Sequence, residues 1–393
     1  MRILHVVPSY LPATRYGGPI YSVHGLCKAL AARGHDVQVF TTNVDGARES
    51  DVPLGRPVAL DGVNVWYFPS RRLRRLYWSP PMMAALKRET GRFDVVHLHS
   101  VYLWPTWAAA RAAGRVGIPF VVSPRGMLVK DLIRRRSRWL KSAWIRLIER
   151  RTLERSARVH VTSALEADEL VRFGFRLPPV VTIPNGVEPP SAWSESTVSS
   201  DVAELLRRRP LVLFLGRISW KKGLDRLLRS IGWLPEWCCL VIIGNDEEDY
   251  LPELQRIAES EGLGDRVRFL PRSVHGADKE ALFAAARVFV LPSYSENFGN
   301  TVLEAMIRGC PVVVTEEVGA AEVVRAAGGG RVVDAAGLSD ALEELIADEA
   351  LAERLGVAAR AFAMKHYLWA GVAGRMEAMY REVAACNDVP GNA

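Results

Sequence analysis

Apolar residues fall in short bursts along this chain of 393 residues. RILHVV, HDVQVFTT, NVWYF, DVVHLH, PFVVS, RVHVTS and VVTI mark the first half. LVLFLG, CCLVIIG, RVRFL, RVFVLPS, PVVVTEE and GRVV mark the second. Most are rich in Val and Ile, and several run too continuously apolar to leave one face in water. That pattern predicts parallel strands covered on both faces. Longer stretches between them, such as IYSVHGLCKALAARG and SDALEELIADEALAERL, repeat their apolar positions at a helical period. Strand and helix alternate twice over, which predicts an α/β protein with two doubly wound, Rossmann-like parallel sheets.

The break between the two series falls at IPNGVEPPSAWSESTVSS, where Pro184, Pro189 and Pro190 precede a serine-rich run without hydrophobic period. The reading is a first domain over 1–186, a second over 187–369, and a closing amphipathic helix at 370–386 that returns to the first. Charge changes sign at the same place. Up to Val187 there are 29 Lys and Arg against 13 Asp and Glu, or +16; the remainder has 22 against 31, or −9, and the two sum to the net +7. Two domains with different partners follow, the basic one drawn to an anionic surface. RILHVV ends at Pro8, short of a signal peptide, and no run approaches the ~18 apolar residues of a spanning helix. A cytoplasmic protein is expected, and the five cysteines, which lack metal-ligand spacing, are expected to be buried thiols.

Ligands of open α/β sheets bind beyond the carboxyl ends of the strands, so strand-end motifs carry the chemistry. SENFGNTVLEAM follows one such strand. The spacing predicts a loop holding Glu296, then a helix capped by Asn300 and stopped near Gly309, with Glu304 in its first turns. The two carboxylates do not share a helical face. The helix start offers N–H groups from Phe298 to Val302, a phosphate-binding arrangement, and Gly299 admits a ligand close to the backbone. Carboxylates beside a phosphate need other partners, and an ionised carboxylate only accepts hydrogen bonds, so hydroxyls suit it. A phosphate between two polyols, as in a nucleotide-diphosphate sugar, meets these demands; for Glu304 alone the competing reading is a partner of the helix dipole. In LVLFLGRISWKKGLDRLL, Arg217 and Lys222 stand past another strand end, where cations suit a diphosphate. Neither a GxxxxGK[ST] loop nor a strand-end GxGxxG is present. The acidic run NDEEDY reads as a solvated loop, not a metal site.

The segment SENFGNTVLEAMIRGCPVVVT resembles the E-x7-E signature of the retaining GT-B glycosyltransferases of family 4, and GRISWKKG is similar to their G-R-x4-K-G segment. HVVPSYLPATRYGGPIYSVHGLCKALAARGHDVQVFTT is similar to the family's glycine pair and RGH turn, IPNGV to its interdomain passage, and the Trp369 helix to its crossing-back segment. The resemblance implies a GT-B fold whose two domains face each other across a cleft. It also implies transfer of a hexosyl unit from a UDP- or GDP-sugar to a hydroxyl, with retention and no metal or other cofactor. Arg217 and Lys222 would bind the diphosphate and stabilise the leaving group. Glu304 would hold the ribose, and Glu296 the sugar hydroxyls, with the N–H groups of Phe298, Gly299 and Asn300. Gly17 and Gly18 would bring the first domain's backbone to the ligand. A sugar-nucleotide epimerase or hydrolase, or a silent nucleotide-sugar-binding partner subunit, are the competing readings.

His97 and His99 alternate in DVVHLHS and so share a face. His99, nearer the strand's carboxyl end, is read both as a site residue and as a packed core histidine. In SPRGM, Arg125 stands where many relatives of the family carry a histidine near the reacting carbon. The chain resembles the branch with SPRGM, and Arg125 is expected to meet an anionic acceptor or the donor phosphate. RRLRRLYW at 71–78 and the stretch 130–158, with eleven basic and three acidic residues, mix cations with apolar positions that include Trp139, Leu140, Ala143, Trp144, Leu147 and Ile148. They read as a helix packed by its apolar stripe or as docking on an anionic membrane. An acceptor on a glycan or polyprenyl carrier and a place on the inner membrane face would suit the second reading. No nucleic-acid recognition motif accompanies the charge.

Overall fold

The parallel strands assemble into two separate sheets. The computed structural model describes residues 1–13, 17–130, 142–207, 211–233, 235–246 and 248–387, and the chain divides into two compact units. One holds Met1–Gly186 together with the chain from Trp369 on, the other Val187–Leu368. In the first unit the strands lie in the spatial order Val180–Thr182, Arg158–Val161, Phe120–Ser123, Val95–His99, Arg2–Val6, Asp36–Thr42, Val63–Phe68, Pro57–Leu60. All neighbours are parallel except the last pair. The thirteen runs read as strands from their apolar pattern all form strands. The antiparallel edge strand Pro57–Leu60 was missed, because its half-exposed residues PVAL carry no continuous apolar signal. A two-residue ribbon, Val44–Asp45 with Arg48–Glu49, was missed as well.

Alternate residues of the central strand Arg2–Val6 enter two different cores. Leu4 and Val6 face one that includes Met82, Leu86 and Trp104. Ile3 faces another, built with helix Gly18–Ala32 and the last helix, Trp369–Asn387. Val372, Met376, Tyr380 and Val383 form the buried stripe of that last helix. Its start is keyed by one aromatic ring: a Cβ at Gly25 would lie 2.4 Å from the Trp369 indole, and one at Gly186 2.5 Å from it. Both glycines are therefore needed for close approach rather than for their backbone angles.

The second unit orders its strands Val267–Leu270, Cys239–Ile243, Leu211–Leu215, Ala286–Leu291, Val312–Thr315, Gly330–Val333, all parallel. The first strand of each unit is central. Successive strands are added on one side of it and then on the other, so the chain reverses direction beside it. That reversal opens a crevice at the carboxyl ends, between Leu211–Leu215 and Ala286–Leu291 in one unit and between Arg2–Val6 and Val95–His99 in the other. Among the described residues no helix is long and apolar enough to cross a membrane.

The Trp369 packing predicts a change of sign. Gly25→Ala alone should destabilise the first unit, because its Cβ displaces the indole. In a Trp369→Ala background the same change should stabilise by about 1 kcal/mol, the usual preference for Ala over Gly inside a helix. Urea unfolding of the four proteins checks this; an effect of equal sign in both backgrounds removes the indole as the cause.

Candidate functional site

In the second unit, loop and helix at the crevice are tied together by one arginine and one glycine. Gly223 has φ +63°, and a Cβ there would lie 2.0 Å from the Pro292 carbonyl oxygen. The GRISWKKG segment therefore lies directly on the turn that leaves strand Ala286–Leu291. Arg226, one turn later, donates to the carbonyls of Pro292 (2.7 Å) and Ser293 (2.6 Å) and to Thr315 Oγ1 (3.0 Å), and lies over the Tyr294 ring at 4.4 Å. Tyr294 N–H donates to the Lys221 carbonyl at 2.8 Å. Past that turn, residues 296–298 run beside the segment after Thr315. Glu296 N–H donates to the Glu317 carbonyl (3.0 Å), Gly319 N–H to that of Glu296 (2.9 Å), and Ala320 N–H to that of Phe298 (2.7 Å).

Lys222 Nζ donates to Glu296 Oε2, and both side chains are largely shielded from solvent. Burial alone would raise the Glu296 carboxyl. The charge and hydrogen bond of Lys222, the charge of Arg217 and the Phe298 N–H outweigh it and hold the carboxyl below its ordinary value. Arg217 itself is exposed. Glu304 faces a different cation: Lys279 Nζ stands 3.2 and 3.1 Å from its two oxygens. The two glutamates thus have separate lysines. Helix Asn300–Ile307 begins one residue earlier than the sequence suggested: Gly299, in the left-handed region at φ +93°, is the cap, and Asn300 is the first helical residue. Of the N–H groups expected to be free, that of Phe298 donates to Glu296 and that of Val302 to the Gly299 carbonyl at 2.9 Å. The acidic run is not a merely solvated loop. Asp246 accepts from the N–H groups of Tyr250 and Leu251, both at 2.9 Å, and so serves the start of the helix Leu251–Ser260; Glu247 lies outside the described residues.

In the first unit the crevice is lined by histidines. Register places His5 beside His97 and His99 beside Ser123. His5, His97, His99 and His160 are all buried, and burial before any other cause pushes every one of them down, His5 and His160 to about 3. As neutral rings each has one N–H and one acceptor, and their partners assign them. The Ile183 carbonyl accepts from His160 Nε2 (2.8 Å), so His160 Nδ1 accepts from Ser123 Oγ (2.6 Å). Ser123 Oγ then accepts from His97 Nε2 (2.7 Å), and His97 Nδ1 from the Tyr380 hydroxyl (2.5 Å). A second line runs the other way. Arg125 donates to His99 Nδ1 through Nη2 at 3.2 Å and Nε at 3.4 Å, and His99 Nε2 donates to His5 Nδ1 at 2.9 Å. The remaining N–H, His5 Nε2, is buried and faces no acceptor among the described residues.

Among the described residues, His5, His97 and His99 are the three groups whose ligand atoms lie within 4.8 Å of one another. Every ring nitrogen but His5 Nε2 is already engaged, and a cation there would stand beside the Arg125 guanidinium, so the trio does not fit a metal ion. His99 is buried, as a packed core histidine is, and is the direct neighbour of Arg125. Gly17, φ +62°, caps helix Gly18–Ala32, and a Cβ at Gly17 would meet nothing within 4 Å. Cys386 is exposed, unlike the other four thiols. In the basic stretch, Trp139 and Leu140 lie outside the described residues. Trp144 Nε1 donates to the buried Glu149 at 2.8 Å instead of lying free at a surface, and Ala143 and Leu147 are exposed. Lys279, Arg226, His5, His160 and Tyr380 were not singled out. A signal existed for the histidines: a polar ring inside an apolar strand run occurs in RILHVV, DVVHLHS and RVHVTS.

Comparison with known proteins gives two family matches that lie end to end. Residues 17–186 match the glycosyl transferase 4-like domain and residues 199–362 the glycosyl transferases group 1 model. The chain is 31% identical over 382 residues to a phosphatidyl-myo-inositol mannosyltransferase of Mycobacterium leprae, covering 94% of each. It is 29% identical over 408 residues to a D-inositol 3-phosphate glycosyltransferase of Xylanimonas cellulosilytica, covering 97% of this chain and 96% of the relative. Among solved structures, HepE of Anabaena in complex with UDP-glucose superposes with a TM-score of 0.73 at 20% identity, over 97% of this chain and 100% of that one.

The neutral histidines set a pH dependence. Unfolded histidine titrates near about 6.5, and the four folded ones lie below it, so between those values the unfolded chain binds more protons. Their stabilisation is complete above about pH 6.5 and is lost as pH falls toward about 3, with a slope approaching ~1.4 kcal/mol per pH unit for each histidine. Urea unfolding between about pH 7.5 and 5 should show the midpoint falling in that direction. A flat profile contradicts the neutral assignment.

Proposed function

The chain belongs to the glycosyl transferases group 1, with a 4-like domain ahead, and from that premise we propose that it moves a hexosyl unit from a nucleotide-diphosphate sugar to a hydroxyl acceptor with retention of configuration and no metal. The observation that carries this reading is the Lys222–Glu296 pair beside Arg217 at the crevice of the second unit. A lysine held by a carboxylate is a cation stored without a fixed phosphate partner. An arriving diphosphate offers Lys222 a denser negative charge, and Glu296, released, accepts hydroxyls of the sugar. Glu304, with Lys279 on its oxygens, keeps lone pairs for the ribose hydroxyls. Asn300, Gly299 and Phe298 bring backbone to the same ligand.

In the transfer the acceptor oxygen forms a bond to the sugar's anomeric carbon on the face the leaving group departs from. The bond to the diphosphate oxygen breaks with its electron pair, and the acceptor proton passes to the leaving phosphate. Arg217 and Lys222 stabilise the charge developing there, a contribution of about 3–4 kcal/mol for a preorganised donor. The complex of HepE with UDP-glucose supports a uridine donor. Relatives that are a D-inositol 3-phosphate glycosyltransferase and a phosphatidyl-myo-inositol mannosyltransferase support an acceptor hydroxyl on an anionic or lipid-linked molecule. An anionic membrane surface fits Arg71, Arg72 and Arg75, all exposed around Leu73, which is 64% exposed, and Leu76.

Lys222→Ala should lower kcat by about 10²–10³ with the melting temperature kept, and Glu304→Gln should raise the donor KM about tenfold with kcat nearly unchanged. A panel of UDP-, GDP- and ADP-sugars, followed by thermal shift and product release, measures both; near-normal turnover by Lys222→Ala sinks the assignment. Sedimentation with vesicles tests the membrane reading. Binding should need anionic lipid and fall at least about tenfold in Arg71→Glu/Arg72→Glu; equal binding to neutral vesicles rejects it.

A further inference from the structure

Arg125 is a cation at the carboxyl ends of the first unit's strands whose direct partners are all neutral. Its guanidinium donates to His99 Nδ1 and, through Nη1, to Asn185 Oδ1 at 2.9 Å. Among the described residues no carboxylate stands within ion-pair distance of it. The acid that acts on it most, Glu166, is already engaged, accepting from Gly126 N–H at 2.7 Å, Thr162 N–H at 2.9 Å and Thr162 Oγ1 at 3.1 Å. A structural arginine is usually matched by a carboxylate, because an unpaired charge out of water is costly. Here a ring lone pair and an amide oxygen orient the fork while leaving its charge unmatched.

The backbone beneath it is strained as well. Arg125 has φ +56°, and Ser100 and Tyr102, after the neighbouring strand, have φ +75° and +63°. Three non-glycine residues in the left-handed region at adjacent strand ends mark a place where the fold holds backbone against its preference, as sites do. The line of hydrogen bonds behind Arg125 sets the orientation of its partner ring. His99 must present Nδ1 as an acceptor, which obliges Nε2 to donate to His5, and His5 to carry its own N–H on Nε2. The ring at each step is fixed by the next, so Arg125 rests on a seat that is neutral and cannot reorient freely.

We propose that Arg125 is an oxyanion-binding residue that takes a phosphate group of a substrate, with His99 and His5 as its positioning residues. Arg125's planar fork suits a phosphate's oxygens. The proposal rests on the transferase reading only for the source of that phosphate, the donor diphosphate or an anionic group on the acceptor. The neutral seat keeps the charge of Arg125 available, and a carboxylate in its place would have consumed it.

The test uses the full chain and two probes, UDP and inorganic phosphate, in calorimetric titration with wild type, Arg125→Gln and Arg125→Lys. Loss of phosphate binding in Arg125→Gln by at least about tenfold, with UDP binding kept, assigns the seat to an acceptor group. A fall of similar size in UDP binding assigns it to the donor. Arg125→Lys, a point charge without the fork, should fall between. Since Arg125→Gln could fail to fold, ring ¹⁵N resonances of wild type are followed as well: the signal of His99 Nδ1 should shift on adding one of the two probes. Wild-type affinity for both probes in Arg125→Gln, or a His99 signal unmoved by about 20 mM phosphate and by UDP alike, overturns the proposal. Failure of wild type to bind UDP at all would count against the transferase reading and leave the phosphate titration standing as the test of Arg125.

Discussion

A parallel sheet that is built outward from its first strand has to reverse direction beside that strand, and the backbone there has no crossover to cover it. Both units of this protein are organised around that gap. The two fill it in opposite ways. The second unit places ions there: Lys222 with Glu296, and Arg217 close by. The first places neutral rings there, His5, His97 and His99, with Arg125 above them. One crevice holds an ion pair with a second cation beside it. The other holds a single charge on a support that cannot titrate near neutral pH.

The difference has an electrostatic logic. A carboxylate whose own cation can turn away gives a ligand two new contacts for one broken pair. Glu296 is held ionised in spite of burial, first by Lys222 and then by Arg217 and the Phe298 N–H, and as a carboxylate it is an acceptor only. The loop that carries it has little freedom, since Arg226 binds its first two carbonyls and the segment after Thr315 runs beside it. Glu296 is thereby mounted on backbone fixed from two sides, which is what preorganised charge stabilisation needs.

The strands were legible because runs of Val and Ile with no polar alternation have one stable solution, a sheet covered on both faces. Pro57–Leu60 was not, because an edge strand in half-solvent obeys no such pattern. For the site, the position of Glu296 before the helix and Glu304 within it could be read from spacing. Their lysines could not: Lys222 was placed near a phosphate and not on Glu296, and Lys279 comes from another helix, Gly276–Ala285, with nothing local to mark it. Asn300 was taken as the cap on side-chain preference, but the chain needs a left-handed residue at that corner, and Gly299 supplies it. Tyr380 completes the His97 line from far along the chain, a contact of sequence separation 283 that no local rule reports.

The first unit is not contiguous in the chain, and this bears on how the protein is made. Its core lacks Val372, Met376, Tyr380 and Val383 until the last helix has been synthesised, while the 182 residues from Val187 to Leu368 form a core of their own. The two ends of that inserted unit already pair with each other, Val187 N–H donating to the Tyr367 carbonyl at 2.8 Å. During synthesis the unit that begins first would therefore finish last. The His97 line, which needs Tyr380, would be among the last parts of the first unit to order, after the inserted unit is complete on the ribosome.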